Sequence, residues 1–564
     1  MFRTAELGKT LAKEDYHRTV EVLRSELLAA QQRLRTAPFP VIIVFGGVDG
    51  AGKSETINLL NEWMDPRWLI TRAYNAPSDE MAERPEYWRY WRDLPPRGRI
   101  GMFLSCWYSR PILDRVYGRT SEAEFDENLE RVKAFERELA DDDALIVKFW
   151  MHLGKEAQKD RLASLEKNPL TRWRVTQTDW DHWHMYDGFM AAAEQVIMRT
   201  SGGWAQWHIV EGFDKRYRSV TVGNIVLESI LKHLEEVEIR KRLAGELRER
   251  REQVGGKIVV QPVTTTKDSG KDSVKDGSKD SGKPGATSDN QDIESRTTAS
   301  AEGEQVITLP GVTILSRLDT EQSVDKKTYR KDLETAQGNL NQIFRRTQQL
   351  GISTILVFEG WDAAGKGGVI RRITAALDAR DFQVIPIAAP TDEESAHHYL
   401  WRFWRHLSRA GRMTIFDRSW YGRVLVERVE AFANESEWRR AYGEIRDFEE
   451  QLVQHGIVLC KFWLHITKDE QLRRFKERES TPYKRWKLTE EDWRNRERWE
   501  KYELAVNDMV ERTSTRRSPW TLVEGNDKRF ARLKVLSTII ESLQARLEQQ
   551  EVNSVKALRK QDRG

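Results

Sequence analysis

The chain of 564 residues repeats its own sequence at a constant spacing of 313 positions. Lys53 and Lys366 form one such pair, and Trp91 and Trp404 form another. The same spacing relates Trp88 to Trp401, Trp107 to Trp420, Phe149 to Phe462, Trp173 to Trp486, and Gly212 to Gly525. Because no net insertion accumulates along roughly 165 residues, we interpret the pattern as an internal duplication. We therefore expect two domains of one architecture, called here the N-terminal copy and the C-terminal copy.

Within each copy, short apolar runs alternate with long amphipathic stretches. In the C-terminal copy the apolar runs are TILVF, MTIF, IVLCKFWLHI and PWTLVE, and the stretch WRRAYGEIRDFEEQLVQHG has the 3.6-residue period of a helix. Strands that alternate with helices predict βαβ units and a parallel sheet that is covered on both faces. The predicted fold class is therefore α/β, with ligands bound beyond the carboxyl ends of the strands.

A segment of different composition separates the two copies. It contains KDSGKDSVKDGSKDSGKPGATSDNQ, which has almost no apolar side chains to bury. Such a segment cannot offset the entropy lost on ordering and is expected to be disordered. We predict an N-terminal domain over 1–250, a linker over 251–308 and a C-terminal domain over 309–564.

The overall charge and the cysteine content restrict the class of protein. The net charge is only +3, so no global field marks a nucleic-acid-binding protein. The two cysteines, Cys106 and Cys460, cannot build a disulfide framework, which fits a reducing compartment. The beginning, MFRTAELGKTLAKEDYHRTV, lacks an apolar signal core, and no apolar run approaches the ~18–20 residues that span a bilayer. We expect a cytoplasmic protein that binds neither nucleic acid nor a membrane.

The N-terminal copy carries a complete phosphate-loop motif, GGVDGAGKSE, from Gly46 to Glu55. It follows the apolar run PVIIVF and precedes the helical pattern ETINLLNEW. In such a loop, backbone N–H groups surround phosphate oxygens, lysine adds a positive charge and the hydroxyl reaches Mg²⁺. Lys53 and Ser54 supply these last two groups here.

The C-terminal copy carries a less complete loop, EGWDAAGKGG, in which no hydroxyl follows the lysine. Gly360, Gly365 and Gly367 are expected to leave room for phosphate, and Lys366 is expected to contact it. Asp362 lies inside the loop and could hold a metal ion or orient a substrate. By this motif alone, the N-terminal copy is the better equipped.

The next strand favours the opposite assignment. In the C-terminal copy, MTIF ends at Asp417, where a second carboxylate can take Mg²⁺, and Arg418 and Arg423 follow. At the spacing of 313, Asp417 corresponds to Leu104 and Arg418 to Ser105. Because leucine cannot bind a hard cation, we expect the N-terminal copy to be inactive. The alternative is that Asp417 only caps a helix.

A third segment agrees with this assignment. Residues 473–498 contain ten Lys/Arg and six Asp/Glu, whereas the equivalent residues 160–185 contain four of each. We predict a mobile lid that binds a polyanion, against the alternative of a solvated charged face. The candidate cations of the lid are Arg474, Arg478, Lys484 and Lys487.

Several motifs of the C-terminal copy resemble those of the family-2 polyphosphate kinases: DAAGKGG, FDRSWYGR, KFWLHI, KRWKL and LVEGNDKRFAR. The resemblance covers this copy nearly end to end, and the N-terminal copy is similar but lacks the aspartate of the metal site. It implies a thymidylate-kinase-like, three-layer α/β/α fold for both copies. A tandem of such domains is similar to the subgroup that acts as polyphosphate:AMP phosphotransferases, whose C-terminal domain carries the activity.

The resemblance also implies roles for individual residues. Asp362 and Asp417 correspond to the ligands of Mg²⁺, with Mn²⁺ as an alternative ion, and Lys366 and Arg418 correspond to catalytic residues. Gly422 stands where the family commonly has asparagine, a difference that concerns the fit of the substrate. The implied substrates are inorganic polyphosphate and AMP, with ADP as product. The implied assembly is an intrachain pseudo-dimer of the two copies, and further oligomerisation stays open.

Three other functions remain as alternatives. An ATP-dependent nucleoside monophosphate kinase would use the same fold and loop with another phosphate donor. A polyphosphate-dependent kinase could also act on nucleoside diphosphates. A non-catalytic scaffold that binds polyanions is the third, and the N-terminal loop could likewise bind an anion through Lys53 without turnover.

Overall fold

A computed structural model describes residues 1–255, 313–481 and 488–561. Both copies belong to one compact unit, Met1–Glu235 with Thr313–Gly564, and Glu236–Val312 form a second unit. Most of the expected linker lies outside the described residues. The predicted domain boundaries therefore stay predictions.

Each copy contains a five-stranded, wholly parallel sheet. The strands of the N-terminal copy are β1 Val41–Gly47, β2 Leu69–Ala73, β3 Ile100–Leu104, β4 Leu145–His152 and β5 Trp207–Glu211. Those of the C-terminal copy are β6 Thr354–Gly360, β7 Phe382–Pro386, β8 Met413–Asp417, β9 Val458–His465 and β10 Trp520–Glu524. The sheet orders are β2-β3-β1-β4-β5 and β10-β9-β6-β8-β7, which are the same order read from opposite ends. The α/β class is confirmed, but the half-exposed strands β2 and β7 were not predicted.

Helices cover both sheets. Those of the N-terminal copy are α1 Lys13–Leu34, α2 Lys53–Trp63, α3 Asp79–Ala82, α4 Trp88–Asp93, α5 Ser109–Val116, α6 Glu122–Asp141, α7 Lys155–Lys167, α8 Gln177–His184, α9 Tyr186–Thr200 and α10 Lys215–Gly255. Those of the C-terminal copy are α11 Lys326–Gln349, α12 Lys366–Thr374, α13 Asp392–Ser395, α14 Trp401–Trp404, α15 Val426–Val429, α16 Glu435–Gln454, α17 Lys468–Ser480, α18 Glu490–Glu497, α19 Trp499–Thr513 and α20 Lys528–Gln561. None of the described helices is both long and apolar enough to cross a membrane.

The central strands explain why the loops of one copy meet at one edge. β6 pairs in parallel with β8 on one side and with β9 on the other, and every residue of β9 is buried. Asp417, the last residue of β8, lies opposite Phe358 of β6. Since the phosphate loop begins at Gly360, two residues after Phe358, this register brings Asp417 beside the loop.

The two copies pack against each other through equivalent elements. Helices α4 and α14, related by the duplication, are in contact. The guanidinium of Arg409 makes ion pairs with Glu83 at 2.6 and 2.9 Å, and Arg440 pairs with Asp142 at 2.9 Å. These contacts agree with an intrachain pseudo-dimer.

Candidate active site

The phosphate loop of the C-terminal copy connects β6 to α12. Gly360 has φ 149°, and a Cβ there would lie 2.6 Å from the carbonyl oxygen of Leu464, so only glycine fits. Gly365, the N-cap of α12, has φ 113°, and a Cβ at Gly367 would meet nothing within 4 Å. The amino end of α12 therefore presents its free N–H groups beside open space, as an anion requires.

Lys366 and Asp362 of this loop are held by different contacts. The ammonium group of Lys366 donates to the carbonyl oxygen of Gly360 at 2.7 Å, which folds the side chain back over the loop. The carboxylate of Asp362 accepts hydrogen bonds from Arg418 at 3.1 Å and from Asn495 of α18 at 2.9 Å. The structure thus brings Asp362, Lys366 and Arg418 together, as the sequence predicts.

Asp417 differs from Asp362 in its surroundings. It is half-buried, and no described residue lies within hydrogen-bonding or ion-pair distance of its carboxylate. A half-buried carboxylate without a partner is costly unless it meets a cation. Together with Asp362 it offers the hard oxygen ligands that suit Mg²⁺, so these residues fit the expected metal.

Arg418 adopts an unusual backbone conformation. Its φ is +66°, in the left-handed region that a branched or long side chain rarely adopts, and the equivalent Ser105 has φ +52°. Burial lowers the pKa of Arg418, but the negative charges of Asp362 and Glu359 outweigh it and raise the pKa above its usual value. The turn after β8 therefore directs a permanent cation at the loop.

Glu359 is a residue of this site that the motifs did not indicate. Its side chain is buried, and it accepts a hydrogen bond from the hydroxyl of Ser419 at 2.8 Å. Burial raises its pKa to about 6, although the positive charge of Lys366 acts in the opposite direction. The duplication contained a signal, because the N-terminal copy has Gly46 and Cys106 at these two positions.

A family model described as polyphosphate kinase 2 (PPK2) matches the chain twice, over residues 10–238 and 323–551. The chain belongs to the polyphosphate kinase 2 family.

Individual relatives extend the match across both copies. The polyphosphate:AMP phosphotransferase of Pseudomonas aeruginosa is 46% identical over 97% of this chain and 99% of its own length. The enzyme of the same name from Acinetobacter johnsonii is 32% identical over 93% of this chain and 96% of its own length. A crystal structure of a putative polyphosphate kinase 2 from P. aeruginosa covers 97% of this chain and 99% of its own, with a TM-score of 0.78 and 44% identity.

The predicted lid of the C-terminal polyphosphate kinase 2 domain is described in part. Lys484 and Lys487 lie outside the described residues. The pKa of Asp492 on α18 is raised, first by burial and then by the charge of Asp362, while the charge of Arg478 acts to lower it. The charges of Asp362 and Arg478 thus both act on the carboxyl group of Asp492.

Two other predicted phosphate ligands have different surroundings. Arg423 makes an ion pair with Glu427 at 3.2 Å, and its guanidinium lies 4.5 Å from the centre of the Tyr399 ring. Arg474 is 2% exposed and lies behind the loop. Its guanidinium donates to backbone carbonyl oxygens at 2.6–3.0 Å, those of Ala363, Ala364, Gly525 and Asn526. In this arrangement Arg474 supports the loop, and contact of either arginine with phosphate stays a prediction.

The N-terminal polyphosphate kinase 2 domain contains a cavity of about 1050 Å³ beside its own loop. Asp49 and Lys53 line it together with Leu104 and Ser105 of the β3 edge. Burial acts to raise the pKa of Asp49, but the positive charge of Lys53 and a hydrogen bond from His182 hold it at about 2. This domain thus keeps space and a loop, but it has no carboxylate at the end of β3.

Proposed function

We propose that this member of the polyphosphate kinase 2 family transfers a phosphoryl group from inorganic polyphosphate to AMP and that the C-terminal copy performs the reaction. The two-copy relatives named for this activity match nearly the whole chain, which supports the substrates. One observation supports the assignment of catalysis to the C-terminal copy. The carboxylate of Asp417, which pairs with no described residue, lies beside the loop, whereas Leu104 occupies the equivalent position.

The proposed reaction is AMP + polyphosphate(n) → ADP + polyphosphate(n−1). An oxygen of the AMP phosphate attacks the terminal phosphorus of the chain, that P–O bond forms, and the bridging P–O bond breaks as the shortened chain leaves with its electron pair. The attacking phosphate is already an anion at pH 7, so a general base is not required. The main obstacle is repulsion between the two anions, which the site must neutralise.

The residues of the C-terminal copy divide this task. The N–H groups at the amino end of α12 and the ammonium of Lys366 bind the donor phosphates. Arg418 provides a permanent positive charge between the loop and the end of β8. Asp362 and Asp417 would hold Mg²⁺, with Mn²⁺ as the alternative, and the ion would neutralise charge on the phosphate chain. The lid cations Arg478, Lys484 and Lys487 would complete the enclosure of polyphosphate.

Matched substitutions in the two copies test this proposal. ADP formation is measured with AMP, Mg²⁺ and long-chain polyphosphate, without ATP. We expect Lys366→Ala to lower kcat by about 10²–10³, the effect of removing one group that stabilises the transition state. We expect Asp417→Asn to lower it at least as far, because a metal ligand is lost. The equivalent variants Lys53→Ala and Leu104→Asn should retain wild-type rates.

The outcomes separate the alternatives. Equal loss in Lys53→Ala and Lys366→Ala, with both variants folded, would contradict the assignment to one copy. Turnover that appears only with ATP would identify a nucleoside monophosphate kinase. A preference for ADP over AMP would identify a diphosphate kinase, and absence of transfer with every donor would leave a scaffold that binds polyanions.

A further inference from the structure

The first turn of α2 in the N-terminal copy contains a carboxylate that its counterpart lacks. Glu55 follows Lys53 and Ser54 at the amino end of this helix, where a phosphate-binding loop places its anion. The equivalent position in the C-terminal copy is Gly368. The side chain of Glu55 is 26% exposed, so most of its surface contacts protein.

Three arginines converge on this carboxylate. Oε1 of Glu55 lies 3.1 Å from Arg161 of α7 and 3.2 Å from Arg174, and Oε2 lies 2.8 Å from Arg218 of α10. Burial acts to raise the pKa of Glu55, but the hydrogen bond and positive charge of Arg218 lower it below its usual value. Convergence of guanidinium groups on one pair of oxygens is the arrangement that proteins use to bind phosphate.

Arg218 is the least accessible of the three. It is 2% exposed, and its Nε has no hydrogen-bond partner among the described residues. Its remaining donors go to the carbonyl oxygens of Ala51 and Gly212 and to Glu55. A buried guanidinium of this kind requires an anion beside it, and the only carboxylate that pairs with it in the described structure is Glu55.

In the C-terminal copy, positively charged side chains lie near Gly368, and no carboxylate like that of Glu55 is present at this position. Nη2 of Arg532 would lie 3.4 Å from a Cβ at Gly368, and neither Arg532 nor Lys528 forms an ion pair with a described residue. Burial and then the positive charge of Arg474 lower the pKa of Lys528. The C-terminal copy thus keeps positively charged side chains here and has no carboxylate at position 368 to neutralise them.

The two loops share the backbone contact of their lysine and the backbone conformation of their helix N-cap. The ammonium of Lys53 donates to the carbonyl oxygen of Gly47 at 2.7 Å, as that of Lys366 does to Gly360. The helix N-cap residues Gly52 and Gly365 both have a left-handed backbone conformation, with φ 89° and 113°. The shape of the N-terminal loop therefore does not prevent it from binding phosphate.

We propose that the carboxylate of Glu55 occupies the place of a phosphate group, so that the N-terminal loop is an anion site filled by its own chain and closed to polyphosphate. A phosphate chain would need the guanidinium groups that Glu55 holds, and it would meet the negative charge of Glu55 at the helix end. This accounts for a complete phosphate-loop motif in a copy that does not use it. The proposal rests on the assignment of catalysis to the C-terminal copy, because a loop that is closed to polyphosphate cannot turn it over.

Binding of tripolyphosphate, measured by isothermal titration calorimetry, tests it. The parent chain carries Lys366→Ala, which weakens the C-terminal site. We expect Glu55→Gln in this parent to bind tripolyphosphate at least tenfold more tightly, because the arginines are released. Adding Lys53→Ala should remove the gained binding. Glu62→Gln is the matched control, since it removes one exposed carboxylate from the same helix and should change nothing.

Two outcomes would overturn the proposal. One is equal affinity of the Glu55→Gln and Glu62→Gln chains for tripolyphosphate. The other is tight binding by the parent with Glu55 intact that Lys53→Ala abolishes. Glu55→Gly, which copies Gly368, is the second variant. If either variant is unstable, tripolyphosphate should raise its melting temperature and should leave that of the parent unchanged. Unchanged binding on introducing Lys366→Ala into the wild type would instead count against the proposed catalytic site.

Discussion

Trp91 and Trp404 stack on each other with ring centroids 6.0 Å apart and an angle of 14° between the ring planes. They occupy the same position in the two copies, and both are almost fully buried. A residue can meet its own duplicate in this way only close to a two-fold axis. The pair therefore marks the pseudo-two-fold axis of the chain. This contact explains why the N-terminal copy keeps the tryptophan although it has no equivalent of Asp417.

The first prediction concerns this contact. Trp404→Ala should destabilise the protein by about 3–5 kcal/mol, the range observed when a buried aromatic side chain is truncated. Thermal unfolding by calorimetry provides the measurement, with Trp173→Ala as the control because Trp173 is 72% exposed. Equal melting temperatures for the two variants would show that the stacked pair does not hold the copies together.

The second prediction concerns a buried ion pair that both copies retain. Lys461 of β9 donates to Glu449 at 2.7 Å and to the Tyr421 hydroxyl at 3.0 Å, and Lys148 of β4 makes the same contacts in the N-terminal copy. Glu449→Gln leaves a buried ammonium without its counter-charge, which should cost about 3–5 kcal/mol. Glu136→Gln should cost a similar amount.

Thermal unfolding of the two variants checks this equality. A large loss in Glu449→Gln with almost none in Glu136→Gln would mean that the N-terminal copy does not need its network. A loss in both, with polyphosphate turnover kept at low temperature, would show that the network is structural.

The two-domain α/β architecture could be predicted from the sequence, because the duplication indicates the two domains and the apolar runs indicate most of the strands. Asp362, Lys366 and Arg418 come together as their motifs indicate. The role of Arg474 could not be predicted, since its charge suggests a solvent-facing lid and only the fold shows that it lies behind the loop. Glu359 was missed for a related reason, because an acidic residue at the end of a strand resembles an ordinary cap until Ser419 is placed beside it.

The third prediction follows from the raised pKa of Glu359. Its pKa in the folded protein is about 6, against an ordinary value of 4.5. Below pH 4.5 the carboxyl of Glu359 is protonated in both the folded and the unfolded protein, so it does not affect stability. Above pH 6 it is ionised in both, and ionising the buried group lowers the free energy of unfolding. At ~1.4 kcal/mol per pKa unit, stability lost across this range is about 2 kcal/mol. Glu359→Gln should therefore gain stability over wild type as pH rises from 5 to 8.

Melting temperatures of the variant and wild type at pH 5 and pH 8 provide the measurement. Glu490→Gln is the control, because it removes one exposed carboxylate and leaves the buried carboxylate of Glu359 in place. A difference between Glu359→Gln and wild type that is constant with pH would contradict the ionisation of Glu359 near pH 6.

The fourth prediction concerns how each copy supports its loop. In the C-terminal copy Arg474 donates to the carbonyl oxygens of Ala364 and Gly525, whereas in the N-terminal copy Arg218 donates to the equivalent carbonyl oxygens. Position 218 corresponds to Ala531. Two different helices thus provide the same support, because Arg161, the equivalent of Arg474, pairs with Glu55 instead.

Arg474→Ala leaves buried carbonyl oxygens without donors, at a cost of about 1–3 kcal/mol for each such group. We expect kcat to fall about 10²-fold, since a displacement of the loop by ~1 Å is enough for such a loss. The equivalent Arg161→Ala should leave turnover unchanged. The double variant Arg474→Ala/Ala531→Arg has an arginine at the position of Arg218 in the N-terminal copy. It should restore both the melting temperature and most of kcat. If the double variant regains stability without turnover, Arg474 acts on the substrate directly; if it regains neither, the two arginines are not equivalent supports.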